Sequence, residues 1–369
     1  MSVAGGTVKS GAMVERDMTT TINPAPGRSV IPPTPPWRNA LTNWKFWLGI
    51  GISVVFLYIA LRGQPLGETW AAIRRVQLAW LVPAVAAFFL RVFIAAYRWH
   101  ILLRPAKDIP ISRIWPINVI GFTANNVLPL RAGEALRIYQ LGKQEGIPRS
   151  GILATLFIER IFDGLALLSL IVLSIALIPV DDNIRALTVT TAAIFFGALA
   201  AFFLVAFSGA WRRRLVLPLI HLLPDGLAAK MERRMEEFVI GLGSLRRGSA
   251  LALVMVTSLA SWLAELGTYL CAARAFDIDL GLAPAMLTMG VANLFTLIPS
   301  SPGYVGSFEA GTKVVMTQVL GFSGEIALAY ALVVHATLYF PVTILGAYYW
   351  FRHHLGMGSN TTPAEAKAE

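Results

Sequence analysis

A handful of charged residues stand where charge is costly, and their types suggest what they would bind. Arg91 lies inside the apolar run Phe88-Phe-Leu-Arg-Val-Phe-Ile94, and Arg98 follows about two turns further along the same helix face. A charge at the bilayer centre costs on the order of 2.5–3.5 kcal/mol, so each needs a partner or water. Arg131, Glu134 and Arg137 are spaced by three and would form one charged face of a helix. Glu159, Arg160 and Asp163 come next, with Arg160 and Asp163 one turn apart and able to pair. Guanidinium groups bind phosphate with forked geometry, so this arginine set suits an anionic lipid headgroup, with the carboxylates holding the arginines between substrates. The alternative is a positive-inside belt with ion-paired neighbours. Glu265, the lone acid of its apolar run, is a candidate either to pair with Arg91 or to carry a proton; Glu309 and Lys313, four apart, could pair. His335 reads as a hydrogen-bonded core histidine rather than a relay.

Two short apolar segments, Ile114 to Leu128 and Ala285 to Ile298, end in proline and glycine and resemble each other. The first contains Gly121, Ala124-Asn125-Asn126, Pro129, Gly133 and Glu134; the second contains Gly290, Ala292-Asn293, Pro299, Pro302, Gly303, Gly306 and Glu309. Proline removes a backbone donor and clashes with the preceding turn, so each helix must break there. Freed backbone is tolerated at membrane depth only where it is buried in protein or lines a wet cavity. Gly/Pro-interrupted segments in corresponding positions of two inverted halves point to a transport site at the midplane. The alternative is that proline and glycine merely kink packed helices.

The elements that must position these residues follow from composition. Of 369 residues 56% are apolar and 14% charged, which excludes an ordinary soluble enzyme, for which about 25% charged is usual. Net charge is +10, but Lys and Arg sit between apolar runs rather than in an aromatic-lined stripe, which excludes a nucleic-acid groove. The one cysteine, Cys271, excludes disulfide frameworks and Cys-based metal sites. Six stretches have the length to cross ~30 Å of hydrocarbon: Lys45 to Leu61, Leu78 to Arg98, Ile152 to Val180, Ala186 to Phe207, Ala250 to Ala273 and Ile326 to Trp350. The expected fold is an all-α polytopic membrane protein, six spans plus two re-entrant hairpins, in inverted half-repeats 45–180 and 186–350. Residues 211–249 carry eight Lys and Arg residues and read as a cytoplasmic linker, so a multi-pass protein of the inner (cytoplasmic) membrane with both termini on the cytoplasmic side is expected. Residues 1–44 and 353–369 read as disordered tails; no cleaved signal peptide and no C-terminal catalytic domain are expected.

Three motifs carry a resemblance. Asn126-Val-Leu-Pro-Leu-Arg-Ala-Gly-Glu-Ala-Leu-Arg137, Glu159-Arg-Ile-Phe-Asp163 and Ile298-Pro-Ser-Ser-Pro-Gly-Tyr-Val-Gly-Ser-Phe-Glu309 resemble, in order, signatures of the flippase-like integral membrane family typified by the transmembrane region of lysylphosphatidylglycerol synthase. The resemblance covers about residues 45 to 352. It implies a protein that translocates or handles lipids, with relatives linked to aminoacylated phospholipids, lipid-linked glycans and hopanoid lipids. The synthase's soluble aminoacyl-transferase domain is not expected here, and lysyl transfer is not carried over from the resemblance. No phosphate-binding Gly-x-x-x-x-Gly-Lys-Ser/Thr loop occurs, and direct ATP use is not expected. The expected function is movement or binding of an anionic phospholipid or lipid-linked intermediate, without cofactor or metal, alongside a lipid-biosynthetic enzyme as a possible partner. The alternatives are a membrane-embedded transferase or hydrolase of lipid-linked sugars, with Asp181 and Asp182 on a metal, and a non-transporting accessory to a lipid synthase.

Overall fold

The computed structural model describes residues 65–128, 131–179, 208–211, 216–241, 248–298 and 302–356, together with residues 51, 54–58 and 61 and scattered positions between 186 and 214. Pro129, Pro299, Asp181, Asp182, both tails (apart from 353–356) and most of the expected spans Lys45 to Leu61 and Ala186 to Phe207 lie outside the described residues. All described regular elements are helical. They are α1 (Leu66–Arg74), α2 (Leu81–Leu103), α3 (Ile111–Val127), α4 (Ala132–Glu145), α5 (Arg149–Leu177), α6 (Asp225–Gly241), α7 (Gly248–Ala275), α8 (Leu282–Phe295), α9 (Ser307–Val314) and α10 (Gly324–Gly356), with short helical turns between. Four described segments are long and apolar enough to cross a membrane: Leu78–Leu103, Arg149–Leu177, Ala250–Ala275 and Gly324–Arg352. They match four of the six expected spans.

Close packing among these spans is made possible by small residues. The most extensive contact is between α2 and α7. Ala84, Ala95 and Ala96 are buried on α2, a Cβ added at Gly267 would stand 3.3 Å from Ala87 Cβ, and Thr268 Oγ1 donates to Ala84 O at 3.1 Å. On α10, Gly346 leaves room for Thr123 of α3, whose Oγ1 donates to Val342 O at 2.9 Å.

The two interrupted segments fold as helical hairpins. α3 has 17 residues and α8 has 14, or about 25 and 21 Å at 1.5 Å per residue, short of the hydrocarbon thickness. α4 turns back along α3, so that Gly133 N–H donates to Asn125 Oδ1 at 2.9 Å and Gly121 faces Arg137. α9 turns back along α8 in the same way, with Gly311 against the Phe295 ring. At Gly133 a Cβ would run into the carbonyl oxygen of Gly121 and the side chain of Asn125, so the first hairpin closes only because that position has none.

Gly133→Ala is therefore expected to cost on the order of 1–3 kcal/mol or more through overpacking against backbone. Gly151→Ala, where nothing lies within 4 Å, should hold or raise stability. Thermal unfolding of the two detergent-purified variants checks this; equal melting temperatures would contradict it.

Candidate functional site

The motif charges converge on one buried cluster. Arg98 of α2 donates to Asp163 of α5 through Nη1 to Oδ1 at 2.5 Å and Nη2 to Oδ2 at 3.0 Å, and to Ser258 Oγ of α7 at 2.6 Å. Arg137 of α4 donates to Glu159 Oε2 at 3.1 Å, pairs with Glu134 at 3.4 Å, and stacks with its guanidinium carbon 4.1 Å from the Trp99 ring centroid. Arg160 donates to Glu159 at 2.7 Å and also pairs with Asp163 at 3.4 Å and Glu134 at 3.9 Å. Three arginines thus meet three carboxylates on α2, α4 and α5, and their formal charges cancel. Cancellation is required, because a buried ion left without its partner is strongly destabilising. Exposure divides the six: the side chains of Arg98, Arg137 and Glu159 are 1%, 3% and 0% exposed, whereas Arg160 is 43% and Glu134 26% exposed. Asp163 lies between, at 12%, so the cluster opens outward mainly through Arg160 and Glu134.

Arg131 departs from the expected face. It caps α4 in the left-handed conformation, φ 53°, so the spacing of three toward Glu134 does not apply to it. It points to the other hairpin, where Nη2 donates to Thr296 O at 3.0 Å and its guanidinium carbon lies 5.3 Å from the Tyr304 ring centroid. Among the described residues three non-glycine residues have positive φ, and two of them, Arg131 and Tyr304, are at this meeting of the two breaks. Such strain persists only where the surroundings enforce it. Arg131 lies over Tyr304, and Arg160 pairs with Glu134 three residues beyond Arg131, which places motif residues from both hairpins in one neighbourhood.

Polar contacts extend inward from there. Thr296 Oγ1 donates to Asn293 O at 2.7 Å, and Asn293 Nδ2 donates to Glu265 Oε1 at 2.9 Å. Glu265 pairs with Arg91, whose guanidinium carbon lies 5.3 Å from both the Phe122 and Trp262 ring centroids. Of the two roles open to Glu265, pairing with Arg91 is the one the geometry displays.

α10 holds the other side of the breaks. Asn126 Nδ2 donates to Thr343 Oγ1 at 2.9 Å, and the missing Gly303 side chain lets the Tyr339 ring and Asn126 O approach. Gly303 (φ 74°) follows Pro302 in a short turn, and Gly306 (φ 89°) caps α9. Gly306 N–H donates to Glu309 Oε2 at 2.6 Å, and Glu309 Oε1 lies 2.5 Å from His335 Nδ1. Among the described residues no group of three or more His, Cys, Asp or Glu is arranged to hold a metal ion.

Residues 46–346 match the family described as Lysylphosphatidylglycerol synthase TM region. The chain belongs to this family. Two relatives from Methanothermobacter thermautotrophicus, each named UPF0104 membrane protein, are 23% identical over 80% of this chain and 91% of the relative, and 26% identical over 74% and 84%. Glycosyltransferase AglD of Haloferax volcanii is 28% identical over 256 residues, 62% of this chain but only 41% of AglD. The protein is thus a multi-pass, all-helical membrane protein of that family.

Several partners were not identified from sequence: Trp99, Ser258, Thr296, Tyr304, Tyr339 and Thr343. One signal for Ser258 was present, since Ser258, Ser261, Glu265 and Thr268 step by three and four along α7, which is one helix stripe. That stripe faces α2, where Ser261 Oγ donates to Arg91 O at 3.4 Å.

Glu159→Gln leaves Arg98 and Arg137 short of a buried counter-charge and should destabilise by roughly 3–5 kcal/mol. Arg160→Ala, at a half-exposed position, should cost far less. Unfolding of both variants in detergent, followed by tryptophan fluorescence, compares them; equal losses would contradict the division by burial.

Proposed function

We propose that this protein is a flippase-like lipid transporter of the cytoplasmic membrane that binds an anionic phospholipid or lipid-linked intermediate at the junction of the two helix breaks. The observation that carries this reading is Arg131, which reaches from the first break to the second while Arg160, nearby, keeps a half-exposed guanidinium. A phosphate suits this pair because forked guanidinium donors match its oxygens. The start of α4 adds the positive end of a helix dipole, although the Gly133 N–H in its first turn is already taken by Asn125 Oδ1.

On this reading Arg98, Arg137, Glu159 and Asp163 position the site rather than touch the lipid, and Glu134 holds Arg160 until phosphate displaces it. Arg91 and Glu265 lie further in, along the Asn293 and Thr296 contacts. The hairpins are re-entrant from opposite sides, both termini are cytoplasmic, and alternation of the breaks exposes the junction to each leaflet in turn. Membership of the family and the relatives named as membrane proteins support a membrane-embedded role for it. The relative named a glycosyltransferase favours a second reading, in which the same junction presents a lipid-linked sugar to a transferase on another chain.

Headgroup accessibility in reconstituted vesicles tests the first reading. Purified protein should move a fluorescent phosphatidylglycerol or a polyprenyl phosphate between leaflets, and Arg131→Ala or Arg160→Ala should slow this roughly tenfold or more, as expected for losing a charge-assisted hydrogen bond of ~1.5–3 kcal/mol. Arg131→Lys, which keeps the charge without the fork, should fall between. A wild-type protein that leaves both lipids where they were would remove the transporter reading. The transferase reading instead predicts that Arg131→Ala lowers sugar transfer while leaving lipid distribution untouched.

A further inference from the structure

We infer that Glu309 and His335 form a proton-binding site through which protonation controls the hold of α10 on both helix breaks. This deepens the transporter reading in one respect, by naming the proton as the ion whose gradient would drive it. The site itself stands on contacts separate from the headgroup junction.

The Glu309 carboxylate has two tasks. Its Oε2 accepts the Gly306 N–H at 2.6 Å, which caps α9, and its Oε1 lies 2.5 Å from His335 Nδ1 on α10. Both side chains are buried, at 3% and 11% exposure, His335 being the less sealed of the two. With the imidazole doubly protonated the pair is electrically neutral. With one proton fewer it holds a net negative charge away from water, which is costly in surroundings of low polarity. His335 takes its proton from water and returns it there, and no other group is consumed.

Those surroundings are largely aromatic. The Phe308 ring centroid is 4.6 Å and the Tyr339 centroid 6.0 Å from the imidazole, and Tyr269 lies 6.5 Å from Phe308. α8 contributes no titratable side chain. α9 carries Lys313, one turn beyond Glu309. On α10 the nearest are Tyr330 and Tyr339, with Glu325 about 15 Å along the helix. From α7 come Tyr269 and Glu265, and Glu265 is taken up by Arg91 and Asn293. The turn before α9 adds Tyr304, which bears the Arg131 guanidinium. Of these groups, histidine alone ordinarily changes charge between about pH 5 and 8.

His335, Tyr339 and Thr343 are spaced by four along one stripe of α10. The first holds the cap of the second hairpin, the second fills the space left at Gly303, and the third accepts from Asn126 at the first break. A change in charge at His335 therefore acts on the second break directly and on the first through a rigid helix.

Spin labels read this in the full-length protein in nanodiscs, with Cys271→Ala and single cysteines introduced at the exposed positions Leu297, beside the second break, and Val127, beside the first. Between about pH 5 and 8 both spectra should shift with a common midpoint. His335→Gln, which leaves the Gly306 cap in place, should abolish both shifts, and Glu309→Gln should do the same. Thr343→Val should keep the shift at Leu297 and lose it at Val127. The proposal is overturned if neither label responds in this range or if His335→Gln titrates like the parent. Lipid movement measured in parallel separates the two readings: a His335-dependent shift without lipid movement leaves the proton site and removes the transporter, whereas lipid movement without such a shift does the reverse.

Discussion

A buried charge in an apolar helix must find its opposite within the protein, and the rest of this structure is arranged around meeting that requirement. Arg98, Arg137 and Arg160 against Glu134, Glu159 and Asp163 fix how α2, α4 and α5 meet, since no sliding of one helix along another keeps all six satisfied. Hydrophobic burial does not supply this specificity in a membrane, where lipid tails are as apolar as the side chains they would replace. Ser258 of α7 and the Trp99 ring complete the arrangement, the first as an acceptor for Arg98 and the second as a surface for Arg137. Small residues between α2 and α7 then bring the backbones close enough for Ser258 to reach.

The helix breaks raise the same requirement for the backbone. A carbonyl freed at membrane depth needs a donor, and each break is served from outside its own hairpin. Thr296 O receives Arg131 from the opposite hairpin, and at the first break Asn126 O receives the Tyr339 hydroxyl of α10 at 3.5 Å. Glycines make these approaches possible where a side chain would intrude: Gly133 within the first hairpin, and Gly303 at the point where the second meets α10 and the first. The left-handed backbone at Arg131 is the conformation that turns its guanidinium away from its own helix and toward Thr296.

Much of this was legible in the sequence because it is written in composition and spacing. Apolar runs of membrane length marked the four described spans, proline and glycine marked the two interruptions, and charges inside apolar runs marked the site. Arg160 with Asp163 and Arg91 with Glu265 could be paired in advance, one by helical spacing and the other because each lacked a local partner. What stayed hidden depends on how helices cross. Arg131 shares a spacing of three with Glu134, but the pattern assumes that Arg131 is itself helical, and the helix begins one residue later. The link from Glu309 to His335, 26 residues away, was equally unreadable, because Lys313 offered a nearer charge and nothing in the sequence says which face of α10 meets α9. Burial was the other blind spot: Arg137 and Arg160 look alike in their motifs, yet one is sealed between helices and the other opens outward.

That difference bears on how a ligand could alter the fold. On the transporter reading, a phosphate that takes Arg131 removes the donor from Thr296 O, so headgroup binding and the geometry of the second break compete for one guanidinium. Thr296 in turn leads through Asn293 to Glu265 and Arg91, so the loss is felt along a connected set of polar groups rather than at a single contact. A ligand shifts a conformational equilibrium only by its differential affinity for the two states. Here the difference has a physical source, since the state in which Arg131 holds the second break is the state in which it is least free to hold a headgroup. The sealed part of the network, Arg98 and Arg137 against Glu159 and Asp163, is already neutral, has no such conflict and can remain fixed while the breaks rearrange around it.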